Sequence, residues 1–415
     1  MFGARRHYAV PRILHQAGLL ACFYTDVVAT QGWPRWLRST PDSLLPQSLQ
    51  RLKNRVPAGI PMSRIRSFPW FGSLHVFRRS HSRGAVAAAR ENLRAADVLA
   101  QKVIAQPTFD PRHILYTFDR AGLALMRYVK ARGGFAIMEQ TAVPLEVYQA
   151  SDAEERIRFP KWSNEPAPPN LGFLAERERA EWDLADLIIC GSDYVHAEIG
   201  RCGGPVERCH VVPSGVAMPM FAQIKRGEGM RFSGNSQPLK VLFVGSVNLN
   251  KGVPYVLDVA RRLGDLIQVR MVGQLGVSAY GVSQLEQHVE LLGPVPRGKV
   301  WEHYAWADVF FLPSLNEGSA LVTYEALLSG LPVVCTPNTG SMVRDGFNGI
   351  IVPARDVVTM CEVLTRLATD TSYLEYLRAN VAASRDDCSL SCYGERLIRC
   401  IEHQDPAGIH RRSDR

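Results

Sequence analysis

No stretch of this chain approaches the roughly 20 consecutive apolar residues that a membrane-spanning helix needs. A secretory leader is not expected either: Arg5, Arg6 and His7 precede an apolar run, ILHQAGLLACFY, that His15 and Gln16 interrupt. The nine cysteines are scattered, odd in number and never spaced as CxxC, which argues against a disulfide framework or a zinc site. Reduced thiols in a cytoplasmic setting are the expectation. Neither an internal repeat nor a nucleic-acid-binding motif is visible. Acids are scarce between Trp33 and Arg83, where Asp42 stands alone against Arg35, Arg38, Arg51, Lys53, Arg55, Arg64, Arg66, Arg78, Arg79 and Arg83.

The net charge of +8 is unevenly spread and concentrated in that basic stretch, with Trp33, Trp36, Phe68, Trp70 and Phe71 interleaved. Arginine beside tryptophan suits an anionic membrane surface, including the inner face of a cell membrane. A solvated basic face is the plainer alternative. Nucleic acid has no motif to support it. The chain as a whole, 46% hydrophobic and 21% charged, is that of a folded protein, and 415 residues exceed one ordinary core.

From Leu239 onward, apolar runs alternate with helical patterns. LKVLFVG, IQVRMVG, VELLG, DVFFLPS, LPVVCT and GIIVP read as buried parallel strands, separated by helices such as VPYVLDVARRL and GKVWEHYAWA. The alternation predicts a doubly wound α/β sheet, with ligands beyond the carboxyl ends of its strands. The first half alternates less regularly, through ACFYTDV, HILYTF, FAIM, DLIICGS and CHVVPSG. Two Rossmann-like domains are expected to face a central cleft: 1–215, with the basic, Trp-rich insertion at about 33–83, and 239–402. A Gly/Ser/charged linker at 216–238 joins them, RFPKWSNEPAPPNLG (158–172) is a loop, and 403–415 is a frayed tail. A first parallel strand should precede the Tyr8 helix, yet only a few residues are available there, so that strand is vestigial or encoded farther upstream.

Chemistry concentrates at strand ends. In PSLNEGSALVTYEALLSG the strand stops near Pro313 and a helix starts near Ala320, with Glu317 in the loop and Glu325 on a helical stripe beside Leu321, Val322 and Leu328. Gly318 would let a ligand approach the backbone, and the amides of Ser319, Ala320 and Leu321 would seat a phosphate. Glu325 could accept hydrogen bonds from two vicinal hydroxyls, such as a ribose offers. GSVNLNKG repeats the logic: Gly245 ends a strand and Lys251 could neutralise a diphosphate. In GPVPRG the exposed backbone around Val295 could edge-pair with a nucleobase. A capping acid, a salt-bridged glutamate and a surface lysine would explain the same residues without a ligand.

With those motifs in order, residues from about Lys240 to Arg366 resemble the nucleotide-sugar domain of the group 1 (family 4) retaining glycosyltransferases, whose fold is the two-domain GT-B arrangement. The family's E-x7-E signature is matched by Glu317 and Glu325, its Lys-Gly element by GSVNLNKG, and its tail by TPNTGSMVRDGFNGIIVP. The resemblance implies that Glu317 lies by the transferred sugar, Glu325 binds the ribose and Lys251 holds the diphosphate, with no metal or other cofactor. The family's usual arginine after the first glycine is Ser246 here, so that another basic residue such as Arg297 would have to help. Its usual histidine after the strand that here reads FAIM is replaced by Glu139 or Gln140, which leaves Glu139 and His7 as candidates on the acceptor side.

The resemblance implies sugar transfer with retention from a nucleoside-diphosphate donor to a glycan or lipid-linked acceptor, in surface polysaccharide or glycolipid assembly. A sugar-nucleotide epimerase or hydrolase of the same fold, and a non-catalytic nucleotide-sugar-binding subunit, remain open.

Overall fold

A computed structural model describes residues 5–163, 169–217 and 237–404. Among the described residues all the strand pairings are parallel. In the N-terminal half, β1 (Phe23–Thr25) pairs with β2 (Ile65–Ser67), while β3 (Leu115–Phe118), β4 (Ala136–Gln140), β5 (Leu187–Cys190) and β6 (Cys209–Val211) form a separate sheet in chain order. The strands that follow are β7 (Leu239–Val244), β8 (Ile267–Val272), β9 (Glu290–Gly293), β10 (Val309–Leu312), β11 (Val333–Cys335) and β12 (Gly349–Ile351). They stand in the order β12-β11-β10-β7-β8-β9.

That order carries the functional consequence. The chain starts in the middle at β7, steps outward to β8 and β9, then crosses to β10 on the other side of β7. Winding reverses between β7 and β10, so their carboxyl ends diverge around a crevice where ligands of open α/β sheets bind. The strands are apolar along both faces because helices cover both. Val241, Phe243, Phe310 and Val333 are fully buried in one core, with Val256 and Leu327 from the covering helices.

The N-terminal half departs from the single doubly wound sheet read from sequence. Among the described residues, β1 pairs only with β2 and β3 only with β4. Cys22–Tyr24 and Ile114–Phe118 line a common cavity of about 560 Å³, bordered also by Val10, Leu14, Leu99 and Val103. No residue of the strand-end motifs lines it. The β1–β2 pair is held by side chains instead: Tyr8, Phe23, Ile60 and Ile65 pack together, and Phe71 joins Leu99 and Val103. The strand expected ahead of Tyr8 falls on residues 1–4, outside the described residues.

The last helix, Leu390–Gln404, also differs from its expected place. Tyr393, Leu397 and Ile401, four residues apart, bury against Ala9, Val10, Ile13 and Phe118. A helix counted with the C-terminal domain by sequence therefore completes the N-terminal core. An apolar stripe announces that one face is buried but not which partner buries it. Of the expected linker, residues 218–236 lie outside the described residues. So do 164–168 of the expected loop and 405–415 of the expected tail, whose first two residues end this helix.

Candidate functional site

The loop after β7 is built by two glycines and an asparagine. Gly245 has φ +149° and lies under the Lys251 side chain. Asn248 caps the following turn, its side chain accepting from the Lys251 amide at 3.1 Å. Gly252 adopts the left-handed region at φ +69°, and an added Cβ would sit 2.1 Å from the Pro313 carbonyl oxygen at the end of β10. The helix Val253–Leu263 then begins with Pro254 in its first turn, where a missing N–H costs nothing. Together these hold Lys251 across the crevice from the loop after β10, where its ammonium pairs with Glu317. Both side chains are mostly enclosed.

The loop after β10 is fixed as tightly. Glu317 N donates to the Asn338 carbonyl at 3.0 Å. Gly318 is buried, and the group pressed against it belongs to the N-terminal half: an added Cβ would lie 2.0 Å from the Thr141 carbonyl oxygen. Ser192 Oγ donates to the Gly318 carbonyl at 2.7 Å. The glycine serves a contact between the two halves, rather than the ligand approach expected from sequence. The Ala320 amide, expected to be free, donates to the Thr339 carbonyl at 3.2 Å. Ser319 Oγ is engaged with the Tyr324 hydroxyl at 2.7 Å. The helix Leu321–Leu328 starts with no side-chain cap, and Leu321 is exposed. The positive end of that helix thus opens at Leu321.

Glu325 projects from this helix into a half-buried position. The Tyr304 hydroxyl, 2.9 Å away and the end of a fully buried ring, donates to its Oε2. Burial pushes the Glu325 carboxyl pKa up, against the opposing pull of Tyr304 and of the Arg297 charge. Arg297 is exposed in the loop after β9, two residues beyond half-buried Val295. Its guanidinium touches His7 Nε2 from the other half of the chain. A guanidinium only donates, so that ring nitrogen accepts and is unprotonated. Burial, then Arg297, accordingly lowers the His7 pKa. Ser246 is exposed and adds no charge.

Glu139 is brought near the cleft but is already committed. Arg6 Nε lies 2.8 Å from its Oε1, and the Tyr116 hydroxyl donates to Oε2 at 2.7 Å. Arg6, which sequence reasoning passed over, also donates to Ser214 and lies over the Tyr393 ring. A Cβ on Gly191 would lie 3.0 Å from Ser319 Cβ and 3.7 Å from an Arg6 Nη, so Arg6 reaches the edge of the Ser319 loop. Beside it, buried Asp119 binds Arg5 at 3.2 Å and Arg120 at 2.8 Å. Burial would raise its pKa, but the two arginines and Thr141 hold it down at about 2.

A polar seam that the sequence did not reveal joins the halves. Asn250 Nδ2 donates to Tyr148 at 3.0 Å and Asp152 at 3.1 Å, and Asn250 accepts from Asn316 at 3.3 Å. The Tyr194 hydroxyl reaches Asn316 at 3.0 Å. Arg355 clasps Glu155 at 2.7 Å and Glu154 at 2.8 Å. Only the position of Asn250 and Asn316 inside the two motifs could have hinted at it. Among the described residues no cluster of histidine, cysteine and acids could hold a metal.

Residues 238–370 match the family model for glycosyl transferases group 1. The chain is 34% identical over 249 residues to a D-inositol 3-phosphate glycosyltransferase of Geodermatophilus obscurus, covering 55% of each. Its namesake from Xylanimonas cellulosilytica is 31% identical over 279 residues, 62% of this chain and 66% of that protein. An amylovoran biosynthesis glycosyltransferase, AmsK of Erwinia amylovora, is 26% identical over 182 residues, 40% of this chain and 43% of its own. The chain thus spans between about half and two thirds of the D-inositol 3-phosphate relatives. Among solved structures, Anabaena HepE in complex with UDP and glucose superposes with a TM-score of 0.58 at 16% identity, over 95% of this chain and 96% of that one. Sucrose-phosphate synthase from Thermosynechococcus elongatus gives 0.60 at 15% identity, over 95% and 91%. The fold is GT-B, and residues 238–370 carry the match to the group 1 glycosyl transferases.

Proposed function

We propose that the protein transfers a sugar, with retention at the anomeric carbon, from a nucleoside-diphosphate donor to a hydroxyl of a glycan or lipid-linked acceptor. The observation that carries this reading is the meeting of Lys251 and Glu317 at the β7/β10 switch point, with Glu325 on the helix that starts four residues after Glu317. A diphosphate brought to this crevice would compete with Glu317 for the Lys251 ammonium and would face the uncapped start at Leu321. The bond from the anomeric carbon to the diphosphate oxygen breaks, the bond to the acceptor oxygen forms, and the hydroxyl proton leaves with the nucleotide. Charge grows on the leaving group, and fixed positive groups in an enclosed site stabilise it most. Glu317, released from Lys251, would steady the positive sugar ring, while Glu325 would hold the ribose hydroxyls. No step in this scheme calls for a metal.

The relatives named for glycosyl transfer to D-inositol 3-phosphate and for amylovoran biosynthesis support a polyol or glycan acceptor, and the HepE complexes support a UDP-linked donor. Thermal unfolding against UDP, GDP and ADP with their common sugars tests donor binding, since a ligand selective for the native state raises Tm. Turnover is then followed with lipid-linked glycan acceptors, reading the anomer by NMR. A donor that binds but gives only free sugar or an epimer would sink the transferase reading. Binding without turnover would favour a non-catalytic subunit, which Ser246 and the neutralised Glu139 make a real competitor.

A further inference from the structure

The basic, aromatic segment supplies a surface that the site does not use. The helix Pro69–Ser80 has two apolar faces. Phe71, Gly72 and His75 point inward, and Gly72 is packed so closely that a Cβ would stand 3.2 Å from the Asp26 carbonyl oxygen. Trp70, Leu74 and Phe77, spaced along the opposite face, are 78%, 46% and 59% exposed. The turn Trp33–Ser39 runs beside them, because Gly32 presses on Pro69 with only 2.8 Å for a Cβ. This turn adds Trp36, 67% exposed, under the Arg35 guanidinium.

We propose that this face docks on an anionic lipid bilayer. Arg35, Arg38, Arg78, Arg79 and Arg83 are exposed around it, and among the described residues no carboxylate lies within ion-pair reach of any of them. The nearby acids are already used, Asp42 by Lys53 and Asp26 by Arg55. Tryptophan and phenylalanine on a short helix fringed by arginine fit the boundary between headgroups and acyl chains. A nucleic-acid duplex would satisfy the arginines and leave the apolar stripe in water, and no motif for single strands is present. A neutral protein partner would do the reverse. Only an anionic interface answers both. The face is joined to the cleft through β2, which pairs with β1 and ends two residues before Pro69: Tyr8 packs on Phe23 of β1, and the adjoining His7 meets Arg297. Docking would bring the acceptor side of the cleft to lipid-borne acceptors, the one respect in which this inference rests on the proposed function.

The test is sedimentation of the full chain with vesicles of phosphatidylcholine containing one quarter phosphatidylglycerol, without any donor. Binding is expected at low salt, weakening steeply with added salt and absent on pure phosphatidylcholine. Each basic group is worth about fivefold near an anionic surface, so Arg78→Gln, Arg79→Gln and Arg83→Gln together should weaken partitioning on the order of a hundredfold. Trp70→Ser with Phe77→Ser should weaken vesicle binding and reduce the blue shift of tryptophan emission, leaving only the part that Trp36 reports, with Tm unchanged because both side chains are exposed. The proposal fails if the chain ignores anionic vesicles or if binding is indifferent to the arginine variants. It fails equally if the protein is a dimer that Trp70→Ser dissociates, since a second copy then owns the face. Docking without sugar turnover would sink only the glycosyltransferase reading, and turnover without docking only this one.

Discussion

Gly318→Ala separates two reasons for a glycine in the signature loop. If the residue must be small so that a ligand can approach, alanine should weaken donor binding and leave the fold alone. The structure argues otherwise. Gly318 is not among the glycines with positive φ, so alanine meets no backbone strain. Its Cβ would, however, stand 2.0 Å from the Thr141 oxygen, 2.7 Å from the Thr141 carbonyl carbon and 2.8 Å from Ala142 Cα. Ordinary contact starts at 3.4 Å, and all three are backbone atoms that cannot swing aside. The two halves must part by more than an ångström, at an overpacking cost of about 1–3 kcal/mol. The 2.7 Å bond from Ser192 goes with it, worth about another 1 kcal/mol. A loss of about 2–4 kcal/mol should show as a Tm lower by several degrees. Turnover should fall more than donor affinity. An alanine variant that melts with the wild type while losing donor affinity would refute this account.

Other substitutions probe the remaining groups. Lys251→Met should lower kcat by at least about a hundredfold, the usual scale for one fixed charge-stabilising group, as read in a donor-consumption assay. Glu325→Gln keeps a partner for Tyr304 but gives up the charged acceptor, and should weaken donor binding by about 1–2 kcal/mol in calorimetry. Because burial lifts the Glu325 pKa above 4.5, donor affinity in the wild type should decline with falling pH sooner than for a surface glutamate. The same shift has the opposite sign for stability: the protonated form suits the folded chain, so stability is lost as pH rises from 4.5 through the raised value, and Glu325→Gln should remove that slope. Arg297→Ala should raise the His7 pKa toward 6.5, measured by NMR titration of its ring protons.

What the sequence made legible follows from where physics is local. β7 and β10 are continuous apolar runs because helices cover both faces, and their ends are marked by Gly245 and Pro313, so the strand-end loops could be found by eye. Glu325 on an apolar stripe was visible as an anomaly, though its partner Tyr304 lies on another helix at no fixed spacing. What could not be read is pairing at a distance. β1 lies inside ACFYTDV, but its partner β2 is three residues long, too short for a periodic signal, and IRS at 65–67 resembles a loop. The stripe of Leu390–Gln404 named a buried face without naming Val10 and Phe118 as its cover. Gly318 looked like a ligand glycine because Thr141, its real neighbour, is far away in sequence.

The same separation explains why the site and the seam between the halves coincide. Asn250 stands next to Lys251, and Asn316 next to Glu317. Both asparagines are buried in the polar contacts with Tyr148, Asp152 and Tyr194 of the N-terminal half. Gly318 continues the second loop into contact with Thr141 and Ser192. Thr141 in turn donates from its amide to Asp119, the carboxylate held by Arg5 and Arg120. A change in the Lys251–Glu317 pair therefore acts on loops whose next residues are the contact with the other half. Polar groups exchange partners at less cost than packed hydrocarbon deforms, so a seam of hydrogen bonds can re-register where an apolar one would resist. On the proposed transfer, which brings a donor and an acceptor together across two halves, it is the residues beside the charge pair, not the pair itself, that would transmit donor binding to the acceptor side.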